Sequence, residues 1–449
     1  MYQGYLEKSA EREALGVAAP SLTATEVEQF LQTLAEGNSG DQDKQFLELI
    51  THMTPCGVDD AARVKAEYLW RFATGECSSP LLTSEKAVEL LGTMQGGYNV
   101  GCLIQALEIN AIAEVAANAL KHIVMIYDEF SKVAELAKNG NSLAQQVIES
   151  WAEAEWFFER PEVAQAMQMS VFKVDGETNT DDLSPAQDAF TRPDIPLHAR
   201  AMYKNVRPGI TPYEDGVVGC IAQINQAKSQ PLPIAFVGDV VGTGSSRKSA
   251  ANSLIWHFGE NIPFVPNKRT GGVVLGGNIA PIFFATLEDS GALPIQCDVS
   301  KIQSGDIITI RPYKGTVENT SGEVISGFTL KYGLLNEVRA GGRIPYLIGR
   351  RLTQTAREYL GKEQLEVFLD EKVQQPNHGY TLAQKMVGKA CGLEGVLPGQ
   401  FCEPKTTTVG SQDTTGGMTR DEIKDLACLS FSSPLVMQSF CTLLPIQNL

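Results

Sequence analysis

No two of the nine cysteines lie within three residues of each other, so the chain contains no C-x-x-C pair. That absence excludes a zinc ribbon or a local iron–sulfur ligand pair, and the odd, scattered count argues against a secreted disulfide framework. Histidine is scarce: there are five, none at metal-ligand spacing from another, which leaves them core or surface roles. Positive charge is also short, with 37 Lys and Arg against 53 Asp and Glu and a net charge of −16. A field of that sign disfavours nonspecific nucleic-acid binding and requires an anionic substrate to find concentrated local arginines. The opening MYQGYLEKSAEREALG is charged and lacks an apolar segment, so no secretory signal is expected and a cytoplasmic, reducing setting is. Charge disappears altogether from Leu426 to Leu449, yet the serines, glutamines, Pro434 and Pro445 there argue against a membrane span. An apolar end with no solvated face implies further sequence that covers it, and the expectation is that the chain is incomplete.

What is present is ordinary globular material. The 449 residues correspond to about three domains, and 43% apolar with 20% charged residues is enough to bury real cores. Residues 1–160 read as helices joined by tight turns, a helical-repeat layer. In IAEVAANALKHIVMIYDEF, Ile112, Val115, Ala119, Leu120, Ile123 and Ile126 recur at helical spacing. That run ends near AKNGN, where Gly140 suits a C-cap and Asn141 or Ser142 can cap the next helix, which stops at Pro161. From SVFKV (170–174) to about residue 350 the pattern becomes α/β. IAFVGDVV, GGVVLGG, DIITI and GFTLKY read as strands, SRKSAANSLIWHFG and APIFFATLEDSG as helices. Residues 351–380 are helical and polar and run into a linker-like QQPNHGY; a third unit begins near TLAQKMVGKACG.

The chemistry concentrates at GDVVGTGSSRKSA (238–250), a strand-to-helix turn. A helix N-terminus offers unpaired N–H groups and a positive dipole end to an anion, and two glycines let a ligand approach the backbone. A phosphate loop of the G-x-x-x-x-G-K-[ST] type would need glycine where Arg247 stands, and no acidic strand end presents itself as a magnesium ligand. An arginine in the first helical turn suits carboxylate as well as phosphate. A serine beside it can lose its proton more easily and act as a base on a C–H bond next to a carboxylate. The plainer alternative, a Gly-Ser cap with solvated Arg and Lys, stays open on spacing alone. Arg192, before a proline that fixes an extended backbone, is either an aimed side chain or a solvent-facing one. GETNTDDLSP (176–185) is a dense Asx and serine turn, or only a loop. SQDTTGGMTRDE (411–422) places Gln412, Asp413 and Thr414 in a glycine loop before a helix capped by Thr419, with Glu422 completing the box.

Taken together, GETNTDDLSPAQDAFTRPDIPLHA, VGDVVGTGSSRKSAANS, VPNKRTGGVVLGGNIAPIFF, VRAGGRIP, FCEPKTTTVGSQDTTGGMTRDE, DLACLSFSSPLVMQSFC and the helical LLTSEKAVELLGTMQGGYNV resemble the bacterial aconitase B family. The resemblance runs from near the N-terminus to about Cys441, in the family's order. It implies a HEAT-like helical domain at 1–160, a swivelling β/α domain at 161–380 and the start of an α/β catalytic domain at 381–449. The implied activity is that of a hydro-lyase of the tricarboxylic acid cycle, interconverting citrate and isocitrate through cis-aconitate, with 2-methylisocitrate dehydration as a variant. By the same resemblance Ser245 is the catalytic base, and Ser246, Arg247 and Arg192 bind substrate carboxylates. Gln412, Asp413 and Thr414 match the family's substrate-contacting Q-D-T. The family also implies a [4Fe-4S] cluster, a homodimer formed through the helical domain, and messenger-RNA binding by the cluster-free protein.

The chain departs from the family pattern after SFC, where it reads TLLPIQNL in place of a histidine-containing segment. The family's D-S-H motif and its three cluster-ligating cysteines lie beyond that point, and Cys391, Cys402, Cys428 and Cys441 do not substitute for them. Without a Lewis acid on the substrate hydroxyl, dehydration loses its main driving group. The chain alone is therefore expected to be inactive. An RNA-binding or regulatory module of the same origin is the alternative, weakened by the −16 charge; a nucleotide-binding loop is the third.

Overall fold

The computed structural model describes residues 2–37, 40–205, 209–210, 219–229, 231–245, 247–368, 379–398, 400, 402, 404–405, 407–411 and 435–438. The first part is a layer of helices: α1 (Tyr2–Ala14), α2 (Ala24–Glu36), α3 (Asp41–Met53), α4 (Asp60–Ala73), α5 (Ser84–Gly92), α6 (Asn99–Ala106), α7 (Ala113–His122), α8 (Phe130–Lys138), α9 (Ser142–Ala152) and α10 (Glu155–Phe158). Their starts are written in the sequence. Thr23 forms a capping box with Glu26, and Asp59, Thr83 and Asn141 each accept from backbone N–H groups of their helix, contacts worth about 1 kcal/mol apiece. Successive packing of α2 on α4, α4 on α5, α5 on α7 and α7 on α9 builds one continuous core. Phe30, Phe72 and Trp151 are wholly enclosed in it. The long helical run expected from Ile112 onward is broken after His122. Tyr127 takes a left-handed φ of 54°, and Gly96 comes so close to the Met125 carbonyl that a Cβ would stand 2.5 Å from it. Asn141, rather than Ser142, caps α9.

The second part is built on a seven-stranded sheet in the order β6-β5-β2-β1-β7-β8-β9. Its strands are β1 (Met167–Asn179), β2 (Ile234–Thr243), β5 (Val273–Ile279), β6 (Leu293–Gln296), β7 (Ile307–Arg311), β8 (Thr316–Glu318) and β9 (Val324–Gly327); β3 (Glu260–Asn261) and β4 (Arg269–Thr270) form a separate ribbon. β1, β2, β5 and β6 run parallel, whereas β7 is antiparallel to β1 and opens an antiparallel edge. The period-2 alternation assigns faces. Phe172, Val174, Ile234 and Phe236 pack under helices α13 (Gly219–Lys228), α14 (Arg247–Phe258) and α15 (Pro281–Asp289), while Met169, Val171, Ala235 and Val237 build the opposite core with Leu334 of α16 (Leu334–Arg339). Of the expected strands, GFTLKY differs: β9 ends at Gly327. From there Phe328 N–H donates to the Gly315 carbonyl, and the chain leaves the ladder to bury Phe328 and Leu330 partly against the core.

The helix α17 (Arg343–Tyr359) follows the sheet in sequence but packs on the helical layer, where Leu352 and Ala356 join the first core. Trp156 Nε1 donates to Thr353 Oγ1 at 3.0 Å, and Arg357 Nη1 donates to the Ala152 carbonyl at 2.9 Å. Further on lie α18 (Leu382–Ala390), opened by a Thr381–Gln384 capping box, and a parallel pair, β10 (Thr408–Ser411) with β11 (Leu435–Gln438). No described helix is long and apolar enough to cross a membrane.

Candidate functional site

β2 runs beside β1 until Asn179 pairs with Thr243, with the register shifting at Thr178/Asn179. The chain then turns through Gly244 and Ser245 into α14, whose first residue is Arg247. Two glycines are forced at this turn. Gly242 has φ +82° and a Cβ there would sit closer than 3.0 Å to Phe283; Gly244 has φ +106° and its Cβ would stand 2.5 Å from Thr180 Oγ1. Ser245 is exposed, Arg247 is half-buried, and the Arg247 N–H donates to the Ser245 carbonyl at 2.9 Å. The serine and the arginine therefore stand together at the N-terminal end of a twelve-residue helix, where backbone N–H groups and dipole favour an anion. Ser246, between them, lies outside the described residues, as do Gln412, Asp413, Thr414 and the expected Thr419 cap.

The neighbouring wall comes from the segment after β1. GETNTDDLSP is half strand and half helix: β1 ends at Asn179, which caps the short α11 (Thr180–Leu183) in a box with Asp182. A 3-10 turn (Ala186–Thr191) then leads to Arg192, and α12 (Ile195–His198) follows with Asp194 as its cap. Both α11 and α12 pack on α14, so the Arg192 segment and the glycine turn belong to one structural unit. Beneath them Ser184 Oγ lies 2.8 Å from both His198 Nε2 and Ser249 Oγ, and Thr191 Oγ1 lies 2.8 Å from His198 Nδ1. Burial, and then the Arg192 charge, hold the His198 pKa down to about 4. From the other side Arg12 of α1 grips Asp194 through both carboxylate oxygens, at 2.5 and 2.9 Å. Neither His198 nor Arg12 carries a motif in the sequence. A histidine six residues after an arginine and an arginine in a charged first helix have no pattern to mark them.

The cluster implied by the resemblance can be tested against the donor set. Among the described residues no three His, Cys, Asp or Glu side chains converge as metal ligands. Three of the described thiols are instead held in their protonated form: burial pushes Cys220 up to about 12 and Cys102 up to about 11, and raises Cys297. A cluster needs several converging thiolates, so these residues do not fit one. An open groove of about 550 Å³ lies between Tyr313, Lys314, Phe328, Leu330 and Tyr332. Because Met167 pairs with Ile310, the turn after β7 sits where β1 begins, at the end of the sheet opposite the glycine turn.

Comparison with known proteins bears on both parts of the chain. The family described as Aconitate B N-terminal domain matches residues 4–157, and that described as Aconitate hydratase 2 N-terminus matches residues 169–380. Aconitate hydratase B of Escherichia coli strain K12 is 57% identical over 444 residues, which is 98% of this chain and 51% of that protein. Aconitate hydratase B of Pseudomonas aeruginosa strain PAO1 is 54% identical over 447 residues, covering 98% and 51%. The Synechocystis protein of the same name is 51% identical over 445 residues, covering 98% and 50%. The chain thus spans about half the length of the curated relatives it matches. A crystal structure of 3-isopropylmalate dehydratase from Methanocaldococcus jannaschii, 21% identical, covers 43% of this chain and 99% of its own at a TM-score of 0.31, too slight a likeness to bear on fold or function.

Proposed function

Since the chain belongs to the aconitate hydratase B family and corresponds to the N-terminal half of its members, we propose that its glycine turn is the carboxylate-binding, proton-accepting part of a hydro-lyase site. The substrate class is tricarboxylate: citrate, isocitrate and cis-aconitate. One observation carries the reading. A turn sterically closed to any residue but glycine at 242 and 244 delivers an exposed serine and an arginine together to a helix N-terminus.

In this reading Arg247, with the α14 N-terminus, takes one substrate carboxylate, and Arg192 takes another; Ser246 contributes a hydroxyl beside Arg247. Ser245 Oγ accepts the proton from the carbon next to a carboxylate, its alkoxide stabilised by the helix end and the adjacent guanidinium. Gln412, Asp413 and Thr414 complete the substrate contacts. We read residues 1–160 as the HEAT-like domain and 161–380 as the domain that swivels over the substrate. Elimination also needs a Lewis acid for the departing hydroxyl, and the described residues do not fit the iron–sulfur cluster that the family resemblance implies for that role. The 449 residues by themselves are thus expected to bind tricarboxylate without converting it.

Two measurements on the purified chain test this. Calorimetry should show citrate binding that Arg247→Ala abolishes, with no binding of ATP and magnesium; the reverse preference would overturn the reading. Assay of cis-aconitate formation should show none, even after iron–sulfur reconstitution, and robust turnover would contradict the division of labour drawn here.

A further inference from the structure

The Arg192 segment has little of its own to hold it. The 3-10 turn Ala186–Thr191 buries none of its residues, and Phe190 is 83% exposed. What ties this segment to the first turn of α14 is the chain Thr191–His198–Ser184–Ser249, buried from His198 onward, each link 2.8 Å long. Thr191 is covalently next to Arg192, and Ser249 lies two residues beyond Arg247. The histidine at the centre is 2% exposed and Ser184 is wholly buried.

Both ring nitrogens of His198 are engaged by hydroxyls. The Thr191 hydroxyl also lies 2.8 Å from the Asp188 carbonyl, which can only accept, so Thr191 donates there. His198 Nδ1 lies against Thr191 Oγ1 and Nε2 against Ser184 Oγ, which donates onward to Ser249 Oγ. Burial, and then the Arg192 charge, oppose the cation more than Asp188 favours it, which leaves the His198 pKa at about 4.

We propose that His198 is a positioning residue that fixes the spacing of Arg192 from Arg247 and thereby sets the affinity for a polycarboxylate. This rests on the functional reading above. Neither arginine needs to touch the histidine. The ring holds the peptide that carries one of them against the helix that carries the other. Breaking the Thr191 link frees Arg192 to explore conformations that binding must then select, lowering affinity while leaving both guanidinium groups in place.

The test separates the hydroxyl from the shape of its side chain. Thr191→Val keeps the shape and removes the hydroxyl; Thr191→Ser keeps the hydroxyl and removes a methyl. Both are titrated with citrate by calorimetry at pH 7.5, alongside their melting temperatures. Thr191→Val should bind at least about tenfold more weakly than wild type, and Thr191→Ser within about threefold of it. Equal affinity for wild type and Thr191→Val, or equal weakness of both variants, would overturn the proposal. If Thr191→Val does not fold, Ser184→Ala is held to the same criterion on the other side of the ring. Failure of the wild-type chain to bind citrate would instead sink the functional reading, and this inference with it.

Discussion

Replacing Gly242 by alanine asks the turn to accept two costs at once. Its φ of +82° is a conformation that an L-residue adopts at about 1–2 kcal/mol. The new methyl would also fall closer than 3.0 Å to Cβ, Cγ and Cδ1 of Phe283. Phe283 is fully buried near the start of α15, against the same core as Val241, and has no free space to retreat into. Overpacking of that kind costs a further 1–3 kcal/mol or so, for a total of about 2–5 kcal/mol. Gly271 supplies the internal control: its φ is +77°, yet a Cβ there would meet nothing within 4 Å. Gly271→Ala should therefore lose only the backbone part, about 1–2 kcal/mol. Urea unfolding of the two variants, followed by circular dichroism and by fluorescence, which includes Trp256 on α14, measures the difference. If Gly242→Ala is no less stable than Gly271→Ala, the close approach of turn and α15 described here is wrong.

Three other outcomes follow from contacts elsewhere. His198 and His257 both have pKa values held down to about 4 by burial, with the Arg192 charge adding to the first and Lys228 and Arg269 to the second. An unfolded histidine titrates near 6.5, so between pH 6.5 and 4 the unfolded chain takes up protons that the folded chain refuses. Stability should fall across that window by up to roughly 3 kcal/mol per histidine, and His257→Asn should flatten the decline; a pH-independent urea midpoint would contradict this. Arg12→Ala removes the two-oxygen grip on Asp194. For so partly exposed a pair the loss should be about 1 kcal/mol, with faster hydrogen exchange over residues 188–198; unchanged exchange there would show that the helical layer does not steady this segment. Thr353→Val strips the acceptor from buried Trp156 Nε1 and should cost about 1–3 kcal/mol in thermal melts, part of it recovered by adding Trp156→Phe.

The β2–turn–α14 unit was legible because every local signal agreed: a buried alternating strand, two glycines, then a helix-forming run. The strand at GFTLKY was misplaced because apolar residues leaving a sheet to cover its core carry the same pattern as residues within it. The break after His122 was invisible because the apolar spacing continues through Ile123 and Ile126 while the backbone does not. Residues 351–380 read as helical and polar, and nothing in that pattern names a partner for α17. Only the fold shows Leu352 and Ala356 crossing to the helical layer. At the candidate site, the turn read from the sequence places Ser245 and Arg247 together, and the fold ties the Arg192 segment to it through Thr191 and His198. The histidines were left to core or surface roles, and His198 takes the first; its link to two candidate ligand-binding segments depends on distances that no spacing encodes.

Hydrogen–deuterium exchange of the wild-type chain with and without saturating citrate tests the central claim most directly. Citrate should slow exchange in two separate stretches, 242–250 across the glycine turn and 188–198 around Arg192, and leave the groove near Tyr313 and Tyr332 unchanged. Protection confined to other parts of the chain, or none at all at the glycine turn, would contradict a carboxylate site built by Ser245, Arg247 and Arg192.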